Sequence, residues 1–522
     1  MTAFLRRRPL LLSLLTAVLL WSAYPGGGEI WPLLSVALVP MLVALPEMSS
    51  RRSVIGGLAT GTLLYLLLLY WIVIVLGRYG GLPFFVSIPA LVLLAVYMSV
   101  YLAGFAYVAR ILLTATHPMI SLFAIPALWV GLDWLRSVMF SGFPWMDIGY
   151  ALAGNPKIIQ IADLFGHGGV SFVVVFVNTL VALILLSNNR LRCTLQLGLP
   201  AALLLVLTAV YSVNRWASVQ ETLAAELTDS IVIGVVQGNI DQSVKWAPLF
   251  QHHTITTYVE NSKALFADDH PDLLVWPETA LPLYLQTYRD VAIFSDLVKE
   301  HDTALLTGAP WFEIIDRSKK KIKYFNSAQL LNADGSFGGS YYKSHLVPFG
   351  EYVPLKKLLP FLAPLVEAVG DFSPGVVGTP LEWRGAKAGV LVCFESIFPD
   401  IAREWVLNGA NVLVNLTNDA WYGKSSAPYH SMAMTVFRAV ETRRSVVRSA
   451  NTGISGFIDP LGRVEAPSEI FTIWAGAERV ALLNGKTHYV RWGHWFAPGC
   501  FAGSMLLLTV FLIRRKKTTP VD

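Results

Sequence analysis

Two kinds of hydrophobic pattern divide this chain. Up to about residue 215 the apolar positions run on for 16 to 28 residues at a time, with no polar face, and one more such run closes the chain. A bilayer core needs about 20 apolar residues in helical form to be crossed. The predicted spans are 9–24, 30–46, 54–76, 83–110, 118–136, 168–187, 195–214 and 496–513, of which 30–46 is short and 83–110 long enough to tilt. Arg6, Arg7 and Arg8 ahead of the first run also fit the start of a signal peptide, but the apolar runs that follow favour an uncleaved first span. Trp21, Trp31, Trp71 and Trp216 fall near span ends, as in an interfacial aromatic belt. The stretch 137–167 is too polar and broken to span and is expected to form an outer loop. Asp133 is expected to snorkel beside Arg136, and His167 to be a loop residue rather than a ligand.

Between residues 221 and 490 the pattern changes to short apolar runs separated by amphipathic stretches. Ser230–Asn239, Leu273–Trp276, Ala304–Gly308, Ala388–Val392 and Asn411–Asn415 read as strands, and 251–267 and 288–300 as helices between them. Such alternation predicts an α/β domain. Tyr324–Leu331 and Gly338–Leu346, joined through Asn332-Ala333-Asp334-Gly335, read as a hairpin. The organisation expected is therefore a membrane bundle over 1–220, an α/β domain over 221–490, and a last span with a basic tail over 491–522.

Charge fixes an orientation. With the N-terminus in the cytoplasm, the inner segments hold twelve basic residues: Arg6, Arg7, Arg8, Arg51, Arg52, Arg110, Arg190, Arg192, Arg514, Arg515, Lys516 and Lys517. The short outer loops hold three, Arg78, Arg136 and Lys157. This positive-inside bias puts the α/β domain outside. Composition agrees with a membrane protein: 54% of residues are hydrophobic and 14% charged, against about 25% charged in a soluble domain. The net charge of +5 is spread along the chain and gives no reason to expect nucleic acid. Cys193, Cys393 and Cys500 make no disulfide framework, and no metal-ligand spacing is evident.

Three reactive residues follow strands in the α/β domain. Cys393 ends Val390-Leu391-Val392, Glu278 follows Leu273–Pro277, and Lys343 follows Tyr341-Tyr342. Open α/β sheets gather their chemistry at strand ends. A thiol with a pKa of about 8.5 needs a base or a nearby cation to act as a nucleophile. Glu278 is suited to take its proton and Lys343 to stabilise negative charge. Each residue alone also has a plain reading: a buried small hydrophobe, a helix-start carboxylate, a surface charge.

Together, Trp276-Pro277-Glu278, Tyr342-Lys343 with Pro348-Phe349-Gly350-Glu351, and Cys393-Phe394-Glu395 resemble the Glu–Lys–Cys triad of the carbon–nitrogen hydrolase (nitrilase) superfamily. Asn451–Phe457 with Pro460-Leu461-Gly462 is similar to that superfamily's late strand-turn segment. The membrane bundle, the outer domain and the final span resemble the apolipoprotein N-acyltransferase family, as do Gln237-Gly238-Asn239-Ile240 with Lys245-Trp246, His345–Pro354, and Asn418–Tyr422. The resemblance implies an αββα sandwich with about eight membrane helices, in a bacterial inner membrane with the catalytic domain facing the periplasm. It implies transfer of an acyl chain from a phospholipid, phosphatidylethanolamine above all, to the α-amine of the diacylglyceryl-cysteine that begins an apolipoprotein, with no cofactor or metal. Carried over by position, Cys393 is the nucleophile, Glu278 the base, Lys343 the oxyanion stabiliser and Glu351 a second carboxylate. Trp246, Phe394, Glu395, Trp421 and Tyr422 would contact substrate. Phe394 stands where the family often has Tyr, which puts any role of that hydroxyl in doubt.

The run Pro354–Val366 is too apolar for a free loop and too short and Pro-broken to span. It reads either as an arm that dips into the bilayer interface, with Lys356 and Lys357 at lipid phosphates, or as buried core. Two other functions compete. A membrane-anchored amidase or nitrilase would keep the triad without needing eight spans. A transporter with a sensor domain would carry charges inside several spans and a degenerate triad, whereas these spans are nearly charge-free and the triad is complete.

Overall fold

The computed structural model describes residues 8–225, 229–316, 318, 321–352 and 372–518. The Pro354–Val366 arm lies outside the described residues. The chain divides into two compact units: Met1–Val73, Pro83–Arg215 and Trp492–Asp522 form one, and Ile74–Leu82 with Trp216–Arg491 the other.

The first unit is helical, and each predicted span falls on helix. Among the described residues five helices are long and apolar enough to cross a membrane: Phe84–Ala115, Pro118–Val138, His167–Leu186, Arg190–Ala225 and Phe496–Arg514. A sixth crossing requires Ser50–Leu68 and Trp71–Tyr79 to act as one span despite a bend of 52° between them. Pro9–Ala23 and Trp31–Glu47 are shorter apolar helices. The expected span 54–76 is thus corrected: helix breaks at Leu69–Tyr70, and the piece from Ile74 onward packs with the second unit.

Helices in a bilayer gain no hydrophobic advantage from touching, so close packing depends on small residues. Gly57 and Gly61 supply it for Ser50–Leu68 against Phe84–Ala115. A Cβ on Gly57 would lie 2.6 Å from the Leu102 carbonyl oxygen, and one on Gly61 2.9 Å from the Ser99 Cα. Gly131 does the same for Pro118–Val138, where a Cβ would meet the Phe501 Cα at 2.6 Å.

Asp133 does not snorkel: the Arg136 beside it is 2% exposed and bonded to Asp133 at 3.2 Å, to Asp147 and to the Tyr65 hydroxyl. His167 is the first residue of its helix, and its Nε2 lies 2.8 Å from Asp147 Oδ2. The loop that holds Asp147 is therefore tied to two helices by buried charge. Both local expectations fail for one reason: a partner 11 to 20 residues away makes burial of the charge affordable.

The described residues of the second unit form two six-stranded sheets. Its strands are β1 Ser230–Gln237, β2 Leu273–Val275, β3 Ala304–Asp316, β4 Lys321–Leu331, β5 Phe337–Tyr342, β6 Leu381–Trp383, β7 Ala386–Val392, β8 Val412–Thr417, β9 Ser445–Ala450, β10 Gly456–Ile458, β11 Val464–Glu465 and β12 Trp474–Ala481. The orders are β12-β1-β2-β3-β4-β5 and β11-β10-β9-β8-β7-β6. Parallel strands form the centre of each sheet, β1-β2-β3 in one and β7-β8-β9 in the other. These need cover on both faces, and their buried runs match. Helices Pro248–Asp268 and Ala292–Glu300 pack their apolar side chains on the first sheet around Trp276 and Phe294. Pro399–Leu407 and Ala427–Thr442 cover the second. The sheets face each other, as the Ser449 hydroxyl bonded to the Val275 carbonyl at 3.3 Å illustrates. The layers are helix, sheet, sheet and helix, as expected.

Candidate active site

The carboxyl ends of β2, β7 and β8 and the end of β5 bring Glu278, Cys393, Asn418 and Lys343 together. Each is set by a local device. Glu278 sits in a turn where the next residue, Thr279, has φ of 48°. The turn lies so close to Gly308 that a Cβ there would be 2.6 Å from the Glu278 Cα, so glycine is required. Cys393 itself has φ of 50°, a left-handed conformation that L-residues adopt at a cost of roughly 1–3 kcal/mol. It begins a 3₁₀ turn over Cys393–Ile397. Such a sharp exit from a strand lifts a side chain clear of the sheet, the logic of a nucleophile elbow.

The charged groups form one network. Lys343, 1% exposed, donates from Nζ to Glu351 Oε1 at 3.0 Å and lies 3.7 Å from Glu278 Oε1. Asn326 bridges both carboxylates, its Nδ2 donating to Glu278 Oε1 at 2.8 Å and to Glu351 Oε1 at 2.7 Å. The Asn418 backbone N–H donates to Glu278 Oε2 at 3.0 Å, and that of Val347 to Glu351 Oε2 at 2.8 Å. Burial alone would drive a lysine towards its neutral form, yet the Glu351 and Glu278 charges outweigh it and hold Lys343 well above the usual lysine range. The Cys393 thiol is pushed up to about 12, by burial first and then by the Glu278 charge, while Lys343 and a hydrogen bond involving Thr417 pull it down. At rest the sulfur therefore keeps its proton, with a carboxylate and a lysine beside it.

Of the other predicted residues, Phe394 is buried against Phe398, ring centroids 5.1 Å apart. Trp421 and Tyr422 are half-buried on the turn after β8, and Trp421 meets Tyr79 edge-on at 5.9 Å. Trp246 is 49% exposed. Glu395 requires a correction. It is 0% exposed, and its oxygens accept from the backbone N–H groups of Val392, Ser344 and His345 and from the hydroxyls of Tyr341 and Ser344. It pins the Cys393 turn to the Lys343 loop and does not face a substrate. Its carboxylate is shifted upwards by burial and pulled back by these donors.

Sequence reasoning missed Asn326, Gln242 and the positioning roles of Asn418 and Asn451. Asn418 Nδ2 donates to Gln242 Oε1 at 2.6 Å, and Asn451 Nδ2 donates to Asn418 Oδ1 at 3.0 Å and to the Ile240 carbonyl at 2.7 Å. The available signal was an amide inside or just after an apolar strand, which must find partners when buried.

Comparison with known proteins now decides the family. Residues 16–180 match the apolipoprotein N-acyltransferase N-terminal domain, and residues 232–471 match the carbon–nitrogen hydrolase domain. The apolipoprotein N-acyltransferase of Geobacter metallireducens is 40% identical over 515 residues, 98% of this chain and 96% of its own length. This chain belongs to the apolipoprotein N-acyltransferase family. The relative from Methylococcus capsulatus is 32% identical over 98% of this chain and 97% of its own. Among solved structures, a carbon–nitrogen hydrolase from Helicobacter pylori is similar at 21% identity and a TM-score of 0.37, over 49% of this chain and 90% of its own. Family membership makes the chain an acyltransferase of lipoprotein maturation, with a nitrilase-like domain and apolar helices consistent with a membrane protein.

Proposed function

We propose that this chain moves an acyl group from a membrane phospholipid, phosphatidylethanolamine in the first instance, to the α-amine of diacylglyceryl-cysteine on apolipoproteins, through a thioester on Cys393. The observation that carries this reading is the strained Cys393 turn beside Glu278 and Lys343. In the first half-reaction Cys393 sulfur attacks the ester carbonyl carbon and its proton passes to Glu278. The resulting oxyanion is stabilised by the Lys343 ammonium. The ester C–O bond then breaks, Glu278 returns the proton to the departing glycerol oxygen, and lysophospholipid leaves.

In the second half the acceptor ammonium docks at Glu351 and loses one proton to solvent. The free amine attacks the thioester carbonyl, and its next proton travels through Glu278 to the departing sulfur. One amide forms and one proton is released per turnover. Covalent catalysis of this kind lets one site serve two large substrates in turn. Trp246, Phe394, Trp421 and Tyr422 are the proposed substrate contacts, with Phe394 supporting the cleft wall. The twelve-to-three distribution of basic residues supports an inner-membrane orientation with residues 221–490 in the periplasm.

The test uses the full chain in mixed micelles of phosphatidylethanolamine with a diacylglyceryl-cysteine peptide. The peptide should gain one acyl chain as one lysophospholipid appears. Free fatty acid without acylated peptide would make the protein a hydrolase, the competing reading. A reporter fused after residue 225 should be active only outside the cytoplasm.

A further inference from the structure

The segment after β1 grips the base at three successive points. Ile240 is bonded through Asn451, Gln242 holds the Asn418 whose N–H binds the Glu278 carboxylate, and Lys245 Nζ donates to the Glu278 main-chain carbonyl at 3.2 Å. Lys245 is 1% exposed, and no other hydrogen bond of its ammonium is seen among the described residues. A buried ammonium held by one neutral carbonyl is an expensive arrangement unless its charge has work to do. The charged and titratable groups acting on it are Glu278 and Cys393. Lys343 lies 3.7 Å from Glu278 Oε1, Asp419 and Tyr422 are coupled electrostatically to the sulfur, and Asp241 on Lys245's own segment is bound to Ser243.

We propose that Lys245 is a second cationic positioning residue of the active site: its ammonium fixes the Glu278 turn and adds its charge to that of Lys343 around the negative charge that the acylation step moves. This rests on the thioester reading above. The two lysines differ in kind. Lys343 has carboxylates within 4 Å and stays charged at all working pH values. Among the described residues Lys245 has no carboxylate that close, so burial brings it down to about 8, with Glu278 and Cys393 only partly restoring it. Its charge is therefore present below pH 8 and is lost above it. In the covalent step the thiol proton goes to Glu278, the S–C bond forms as the carbonyl oxygen takes the negative charge, and the ester C–O bond then breaks as Glu278 returns the proton to the leaving oxygen. One negative charge thus passes from Glu278 through sulfur to the oxyanion and back, and charged Lys245 acts on it at Glu278 first and at Cys393 second.

The experiment follows thioester formation on Cys393 by intact mass, in a single turnover with phosphatidylethanolamine micelles and no acceptor peptide, from pH 6 to 10. Wild type should slow above pH ~8. Lys245→Arg keeps a charge that arginine does not lose and should move that limb to higher pH. Lys245→Gln keeps a donor without charge and should be roughly tenfold slower at pH 7, with no limb near 8. Thermal unfolding of each variant checks that the fold survives. Absence of the limb in wild type, or coincident profiles for the arginine and glutamine variants, would overturn the role of Lys245. Failure of wild type to form any thioester would instead overturn the proposed mechanism.

Discussion

Both units bury a cluster of acids and bases, yet the clusters do opposite things. In the helical unit Arg136 is surrounded by Asp133, Asp147 and Tyr65, and His167 completes Asp147. Its members come from distant parts of the chain, and the main outcome is a loop fastened to two helices. In the α/β unit Lys343 and Asn326 bind two carboxylates in the same closed manner. What differs is the neighbour: a thiol on a left-handed residue at a strand end, half-exposed where the network is buried. Burial of paired charge makes a joint. The same pairing beside an accessible nucleophile makes a site.

The comparison breaks most sharply at Glu278. Glu278→Gln keeps the shape and removes the base, so thioester formation should fall about 10²–10⁴-fold with little change in melting temperature. A rapid acylation burst in this variant would remove Glu278 from its role. Arg136→Met should behave in the reverse way. It leaves Asp147 and Asp133 without their cation, and stability should drop by about 3–5 kcal/mol in chemical or thermal unfolding. Once folded at low temperature, its Cys393 should still acylate with the wild-type pH profile. The smallest effect is expected from Glu351→Gln. Its amide oxygen can still accept from Asn326 and Lys343 while the Val347 N–H loses its acceptor, and thioester formation should be nearly normal. Transfer to the amine should slow by roughly tenfold to a hundredfold, because the ammonium loses its docking charge. Wild-type turnover in Glu351→Gln would show that the amine is held elsewhere.

How far these clusters could be read beforehand also differs. Glu278, Lys343 and Cys393 each follow an apolar run, and sheet topology gathers such ends, so their convergence was legible. The parallel strands β1, β2, β7 and β8 were legible because burial on both faces leaves unbroken apolar runs. β9 was not, since Arg448 interrupts it. That guanidinium is buried and bonded to Asp419 at 2.8 Å and to Asn415, partners only the fold supplies. The same limit hid Arg136 and Asn326, and it turned Glu395 from an expected substrate contact into an internal brace. The break at Leu69–Tyr70 escaped notice because composition there stays apolar while the backbone turns.

Everything above depends on Cys393 carrying the acyl group. Intact-mass analysis of the full chain after incubation with phosphatidylethanolamine alone measures this directly. Wild type should gain the mass of one acyl chain, mapped to Cys393, released by hydroxylamine and transferred when diacylglyceryl-cysteine peptide is added. Cys393→Ser should fold, gain nothing and lose transfer by a factor on the order of 10⁴ or more. An acyl adduct on another residue, or transfer by Cys393→Ser at near the wild-type rate, would contradict the nucleophile assignment.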